Sequence, residues 1–155
     1  MKKKAILTIL YVFFITIMVN AQAPDRFLSQ EYIHECTYNP DGYRIEKKEA
    51  ASLGVSDFYK IFLNIAPNPF GVYCGLMYYF GGTYNSTGQY VYDGMKNGWY
   101  IFSCNTYIAG YDHLYVSSDY KTVRLQRGQK RGYYNEYRLP REEDYPDRIN
   151  KNAIR

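Results

Sequence analysis

The sequence predicts a mainly β fold: an antiparallel meander, drawn as a partial barrel or a two-layer sheet, with at most one short helix near residues 47–53. Three observations predict it. From Tyr78 to Leu139, aromatic and β-branched runs alternate with Gly, Asn and Asp turn signals: YYFGGTY, NSTG, QYVYD, GMKNG, WYIFSC, a looser NTYIAG, YDHLYV, SSD, YKTVRLQ, RGQKRG and YYNEYRL. Aromatic residues make up 19% of the chain and 20 residues are Tyr, which suits pleated, half-buried surfaces where a ring packs across strands and its hydroxyl stays wet. At 155 residues the chain supports a single domain with a real core.

Taken in order, Met1–Lys4 is a basic start, Ala5–Val19 an uncharged apolar stretch, and Val19-Asn20-Ala21 a small-residue cleavage site. This reads as a signal peptide over residues 1–21. Cutting after Ala23 instead would place Pro24, with its fixed ring and missing N–H, in an extended protease site that it fits poorly. The apolar run is short for a membrane span, which needs about 20 residues. No Cys follows the cut, so the expected destination is periplasmic or secreted, with no stable membrane insertion after processing. Without Lys2, Lys3 and Lys4 the formal charge of +4 falls to +1, which carries no electrostatic footprint for nucleic acid.

Residues 22–139 read as a single β-rich domain. Tyr32–Tyr38 and Tyr43–Glu46 form a hairpin across Asn39-Pro40-Asp41-Gly42, where Pro presets φ and Gly takes the left-handed position. Lys47–Leu53 is the helix candidate, ended by Gly54, and Ser56–Leu63 fits a buried strand better than a capped helix. Ala66–Gly71 is a turn leading into Val72–Phe80, with Val72, Cys74, Leu76, Tyr78 and Phe80 on one face. Pairing Leu114 with Val123 and Asp112 with Leu125, across a two- or four-residue turn at Ser118-Asp119, gives a core face of Leu114, Val116, Val123 and Leu125. At Asn97-Gly98 a tight turn and a three-residue bulged loop remain alternatives, and they swap the faces of residues 89–104. Residues 140–155 are charged, broken by Pro140 and Pro146, and expected to be a flexible tail.

Cys36, Cys74 and Cys104 are an odd count for an oxidising compartment. Cys74 with Cys104 is the expected disulfide if one forms; three buried thiols packing as small hydrophobes is the alternative. His34, Glu35 and Cys36 are adjacent, but successive strand residues point to opposite faces, so they do not converge on a metal. No metal, cofactor or catalytic constellation is expected. Asp93-Gly94 and its kin keep no constant period and read as hairpin turns, Arg127–Gly132 as a solvated hairpin tip, and Glu142, Glu143 and Asp144 as tail residues unsuited to hold an acid–base pair.

The face opposite the core then carries Tyr111, His113, Tyr115 and Arg124, extended by Trp99. Rings that stack and a guanidinium that forks are the groups by which glycans and peptides are held. The competing expectation is that the first hairpin or residues 56–63 form a second layer over this face and make Tyr111 and Tyr115 core residues. Three functions follow from these readings. The chain is expected to be an exported, non-catalytic structural or interaction module with a protein or cell-envelope partner; alternatively a binding module for a sugar, peptide or cell-wall fragment; and as a further alternative a barrel holding a small apolar ligand.

Overall fold

The structure, a computed structural model, describes residues 23–108, 111–128 and 131–145. The signal peptide expected over 1–21 and the end of the expected tail lie outside the described residues. Among the described residues nine strands follow one another along the chain: β1 (Leu28–Tyr38), β2 (Arg44–Ile45), β3 (Lys60–Asn68), β4 (Gly71–Phe80), β5 (Thr83–Lys96), β6 (Trp99–Ile108), β7 (Tyr111–Ser117), β8 (Thr122–Arg127) and β9 (Tyr134–Arg138). One helix, α1 (Lys47–Ser52), falls where the sequence predicts it, and a 3-10 turn spans Glu142–Asp144.

From β3 to β9 each strand pairs antiparallel with the next, and β1 pairs with both β3 and β9, which closes eight strands into a barrel. β1 does this by changing partners along its length. Leu28–Ile33 lies beside β3, then a bulge at Glu35 turns the chain so that Ile33–Tyr38 lies beside β9. β2 is a short addition to the end of β1, joined by the predicted turn with Gly42 at φ 82° and Asn39 Oδ1 accepting from the Asp41 and Tyr43 amides.

Closure, not a second layer, buries the apolar face. Leu63, Ile65, Cys74, Leu76, Phe102, Leu114, Val116, Val123 and Leu125 point inward, and the fully buried rings of Tyr32, Tyr90 and Tyr137 fill the space between them. An eight-stranded barrel is just wide enough to be filled this way. Tyr32 donates its hydroxyl to the Tyr120 carbonyl at 2.7 Å, tying the interior to the β7–β8 turn, and burial pushes its phenol pKa up. At the opposite end the interior turns polar: Thr37 Oγ1 donates to Asn135 Oδ1 at 2.6 Å, and Asn135 Nδ2 donates to the Val55 carbonyl at 3.1 Å. Val55 belongs to a small satellite core with Ile45 and Ala50, so the segment after α1 stoppers this end of the barrel.

Several sequence expectations need correction. Leu114 pairs with Leu125 and Val116 with Val123, two residues away from the expected register, across a four-residue loop in which Tyr120 takes φ 60° and Ser117 Oγ accepts from the Thr122 amide. A shift of two preserves the faces, so all four side chains are buried as expected. The NSTG and Asp93-Gly94 turn signals are bulges inside one long β5, with Gly88 at φ 145° and Gly94 at φ 139°. The undetermined hairpin uses the tight turn: Lys96 pairs with Trp99, with Asn97 at φ 52° and Gly98 at φ 79°. Only Lys60–Leu63 of the 56–63 segment is strand, and β3 runs on to Asn68, so the turn there is confined to Pro69-Phe70.

The expected disulfide between Cys74 and Cys104 is not formed. Tyr90 pairs with Cys74 on one side and with Cys104 on the other. Two strand spacings separate the thiols, about 10 Å, beyond the reach of a disulfide. The start of the tail is docked rather than loose: Arg138 donates to both carboxylate oxygens of Asp144 at 2.7 and 3.0 Å, and the Tyr145 hydroxyl donates to Glu31.

Candidate functional site

Strand alternation decides which side chains reach the outer wall. Along β6, β7, β8 and β9 the inward set is Phe102, Leu114, Val116, Val123, Leu125 and Tyr137, so Trp99, Ile101, His113, Tyr115, Arg124, Gln126, Tyr134 and Glu136 face out. The register puts Ile101, Tyr115, Arg124 and Glu136 in one row across four strands. The neighbouring row holds Gln126, Tyr134 and, across the closing seam, Tyr38 of β1.

Arg124 organises this wall. Its guanidinium carbon lies 4.4 Å from the Trp99 ring centroid and 4.9 Å from that of Tyr134, while its Nε donates to Glu136 Oε2 at 2.7 Å. Each ring contributes roughly 0.5–1 kcal/mol at a partly exposed position. The more useful effect is that a flexible side chain is held in one place. Beyond Tyr134 the ladder continues with Tyr38, stacked at 4.7 Å with an interplanar angle of 17°. A hydrogen bond with Cys36, together with burial, raises the Tyr38 phenol to about 12. On the other flank the Tyr115 hydroxyl donates to Gln126 Oε1 at 3.2 Å, and the His113 ring lies 6.2 Å behind Tyr115.

These side chains border a groove of about 350 Å³, lined by Lys96, Asn97, Trp99, Ile101, Tyr115, Arg124, Gln126 and Tyr134. Comparison with known families, curated proteins and solved structures gives no match. The groove is therefore read from its own chemistry. It offers three aromatic rings for stacking, two cationic groups and two side-chain amides.

Of the residues expected from the sequence, Trp99, Tyr115 and Arg124 come together in the groove, and His113 supports Tyr115 from outside it. The Tyr111 side chain lies outside the described residues. Tyr115 is a half-buried wall residue and not part of a two-layer core. Sequence reasoning missed Tyr134, Gln126, Lys96 and Asn97. Tyr134 and Gln126 were within reach, since YYNEYRL alternates Tyr134, Glu136 and Arg138 against Asn135 and Tyr137, and Gln126 follows Arg124 by two.

A second hollow, of about 240 Å³, lies where β1 meets α1 and is bordered by His34, Cys36, Arg44, Lys47 and Asp57. His34 Nε2 sits 3.2 Å from Asn135 Oδ1 and 3.3 Å from Thr37 Oγ1, so its ring is absorbed into the polar layer that closes the barrel end. Burial lowers the His34 pKa. Among the described residues no group of three or more His, Cys, Asp or Glu is placed to hold a metal ion.

Proposed function

We propose that this protein is an exported, non-catalytic binding barrel that holds a saccharide against its outer wall between β6 and β9. The observation that carries the reading is the ladder Trp99, Arg124, Tyr134 and Tyr38, with Tyr115 beside it, built on the outside of a barrel whose interior is already filled. Sugar rings have apolar faces and polar rims. A groove that alternates ring faces with amide and guanidinium groups matches both at once, and the side chains are fixed before the ligand arrives. The filled interior also argues against the reading in which the barrel encloses an apolar ligand.

The protein holds a single tryptophan, and it lines this groove. Its emission therefore reports occupancy directly. Titration with a panel of envelope-type oligosaccharides is expected to shift Trp99 emission saturably, and Tyr115→Ala is expected to weaken that response. A flat response to every glycan, accompanied by a response to a protein partner, would replace this reading with that of an interaction module using the same wall.

A further inference from the structure

We infer that the groove selects an acidic saccharide, one whose carboxylate is taken by the terminal amines of Arg124. The inference rests on the saccharide reading above and narrows it.

Among the described residues the groove lining contains Lys96 and Arg124 and no acidic residue. Glu136 stands behind the guanidinium, at Nε, and does not line the groove. Among the described residues this carboxylate is the sole hydrogen-bond partner of the Arg124 guanidinium, which leaves the two terminal nitrogens for a ligand. The relative exposure of the pair agrees: the Arg124 side chain is 36% exposed and that of Glu136 is 17%. Trp99 and Tyr134 flank the guanidinium, so the group is held from the sides while its donors remain available.

A planar fork of N–H donors matches a carboxylate in a two-point contact that a neutral hydroxyl does not reproduce. Glu136 takes up part of the positive charge and keeps Arg124 oriented, while Lys96 adds a second positive charge at the groove's edge. A neutral sugar would satisfy the rings and leave this fork to water. An acidic sugar satisfies both. An acidic peptide could meet the fork as well, but it lacks the flat ring that Trp99 and Tyr115 are placed to stack on.

The test compares three probes on the purified protein by Trp99 fluorescence: an oligogalacturonide, the same oligomer with its carboxyls reduced to alcohols, and a short polyglutamate. The acidic sugar is expected to bind roughly tenfold to hundredfold tighter than its reduced form, the range of a charge-assisted hydrogen bond, and to weaken with added salt. Arg124→Gln is expected to bring the two sugars to equal affinity, and Lys96→Gln to narrow the gap partway. Equal binding of acidic and reduced sugar by the unmodified protein overturns the inference and leaves the stacking reading intact. Tighter binding of polyglutamate than of the acidic sugar overturns the saccharide assignment. No response to any of the three overturns both.

Discussion

Around Glu31 the outer wall is closed by the chain's own tail, whereas around Arg124 similar side chains border an open groove. In the first region the Glu31 carboxylate accepts from the hydroxyls of Tyr84 and Tyr145, and Lys60 lies 3.9 Å away, with its ammonium over the rings of Tyr79 and Tyr145 at 5.2 and 4.9 Å. The segment carrying Tyr145 is pinned by the Arg138–Asp144 pair, and Ile33, the β1 partner of Arg138, is 1% exposed. Burial and the bond to Glu31 push the Tyr84 phenol up. In the second region the rings and charges are also in mutual contact, but no such strap is drawn across Arg124 among the described residues. Composition does not separate a seam from a site. What separates them is whether the protein itself supplies the last partner.

The comparison breaks most severely if inside and outside have been exchanged on β8, which contributes Val123 to the core and Arg124 to the groove. Val123→Asp buries a charge in an apolar interior and is expected to cost more than about 4 kcal/mol, enough to abolish the cooperative transition. Circular dichroism during thermal denaturation measures this. An unchanged midpoint would reverse the two faces and remove Arg124 from the outer wall.

The seam comes next. Asp144→Asn removes a charge-assisted pair whose acid is 9% exposed; the expected cost is about 1–3 kcal/mol by chemical denaturation. The Arg138 guanidinium holds the Asp144 carboxyl at about 2, below its ordinary value, so ionisation favours the folded state. That contribution is complete above the unfolded pKa, about 4, and is lost as pH falls through the folded value. Between pH 4 and 2 the unmodified protein should therefore lose stability that Asp144→Asn does not have to lose. Parallel curves for the two proteins would mean that the strap does not close the seam.

His34, at the polar end of the barrel, is largely buried and has no salt bridge among the described residues. Asn135, Asp57, Lys47 and Arg44 surround it, and desolvation is the largest influence, lowering its pKa. Because the folded value lies below the unfolded one, its contribution is present above the unfolded pKa of about 6.5 and is lost as pH falls toward the folded value. A histidine titration by NMR should place the His34 midpoint below the ordinary histidine value of about 6.5. A His34 midpoint at or above the ordinary value would mean that the polar end of the barrel is open to water.

How much of this was legible in the sequence follows from the range of each interaction. Strand faces depend on alternation between neighbouring residues, so Leu114, Val116, Val123 and Leu125 were assignable even with the pairing off by two. Tyr115 and Arg124 followed as their complement. Gly88 and Gly94 looked like turns because a positive φ serves a bulge as well as it serves a hairpin. Closure was out of reach: β1 meets β9 through pairs such as Tyr38 with Tyr134, nearly a hundred residues apart, and nothing local in either segment announces the other. Tyr38, which joins Tyr134 across the closing seam, was missed for the same reason, as was Tyr90 standing between Cys74 and Cys104. The docked tail was hidden too, since a charged, Pro-broken segment looks flexible until Arg138 and Glu31 are placed beneath it.

The smallest expected effect sharpens the comparison most. Arg124→Gln deletes an ion pair in which the arginine is 36% exposed, along with its contacts to two rings, and leaves Glu136 able to reach solvent. Exposed pairs contribute about 0–1 kcal/mol and each ring contact about 0.5–1, partly recovered because glutamine can still lie between the rings. The net loss is expected to stay near 1 kcal/mol, below that of Asp144→Asn measured in the same denaturant series. Trp99 emission should shift to the red as its cationic neighbour leaves and water enters. A loss larger than that of Asp144→Asn would mean that the Arg124 ladder holds the barrel together as the seam does, and the groove would then be a by-product of structure with no claim to a ligand.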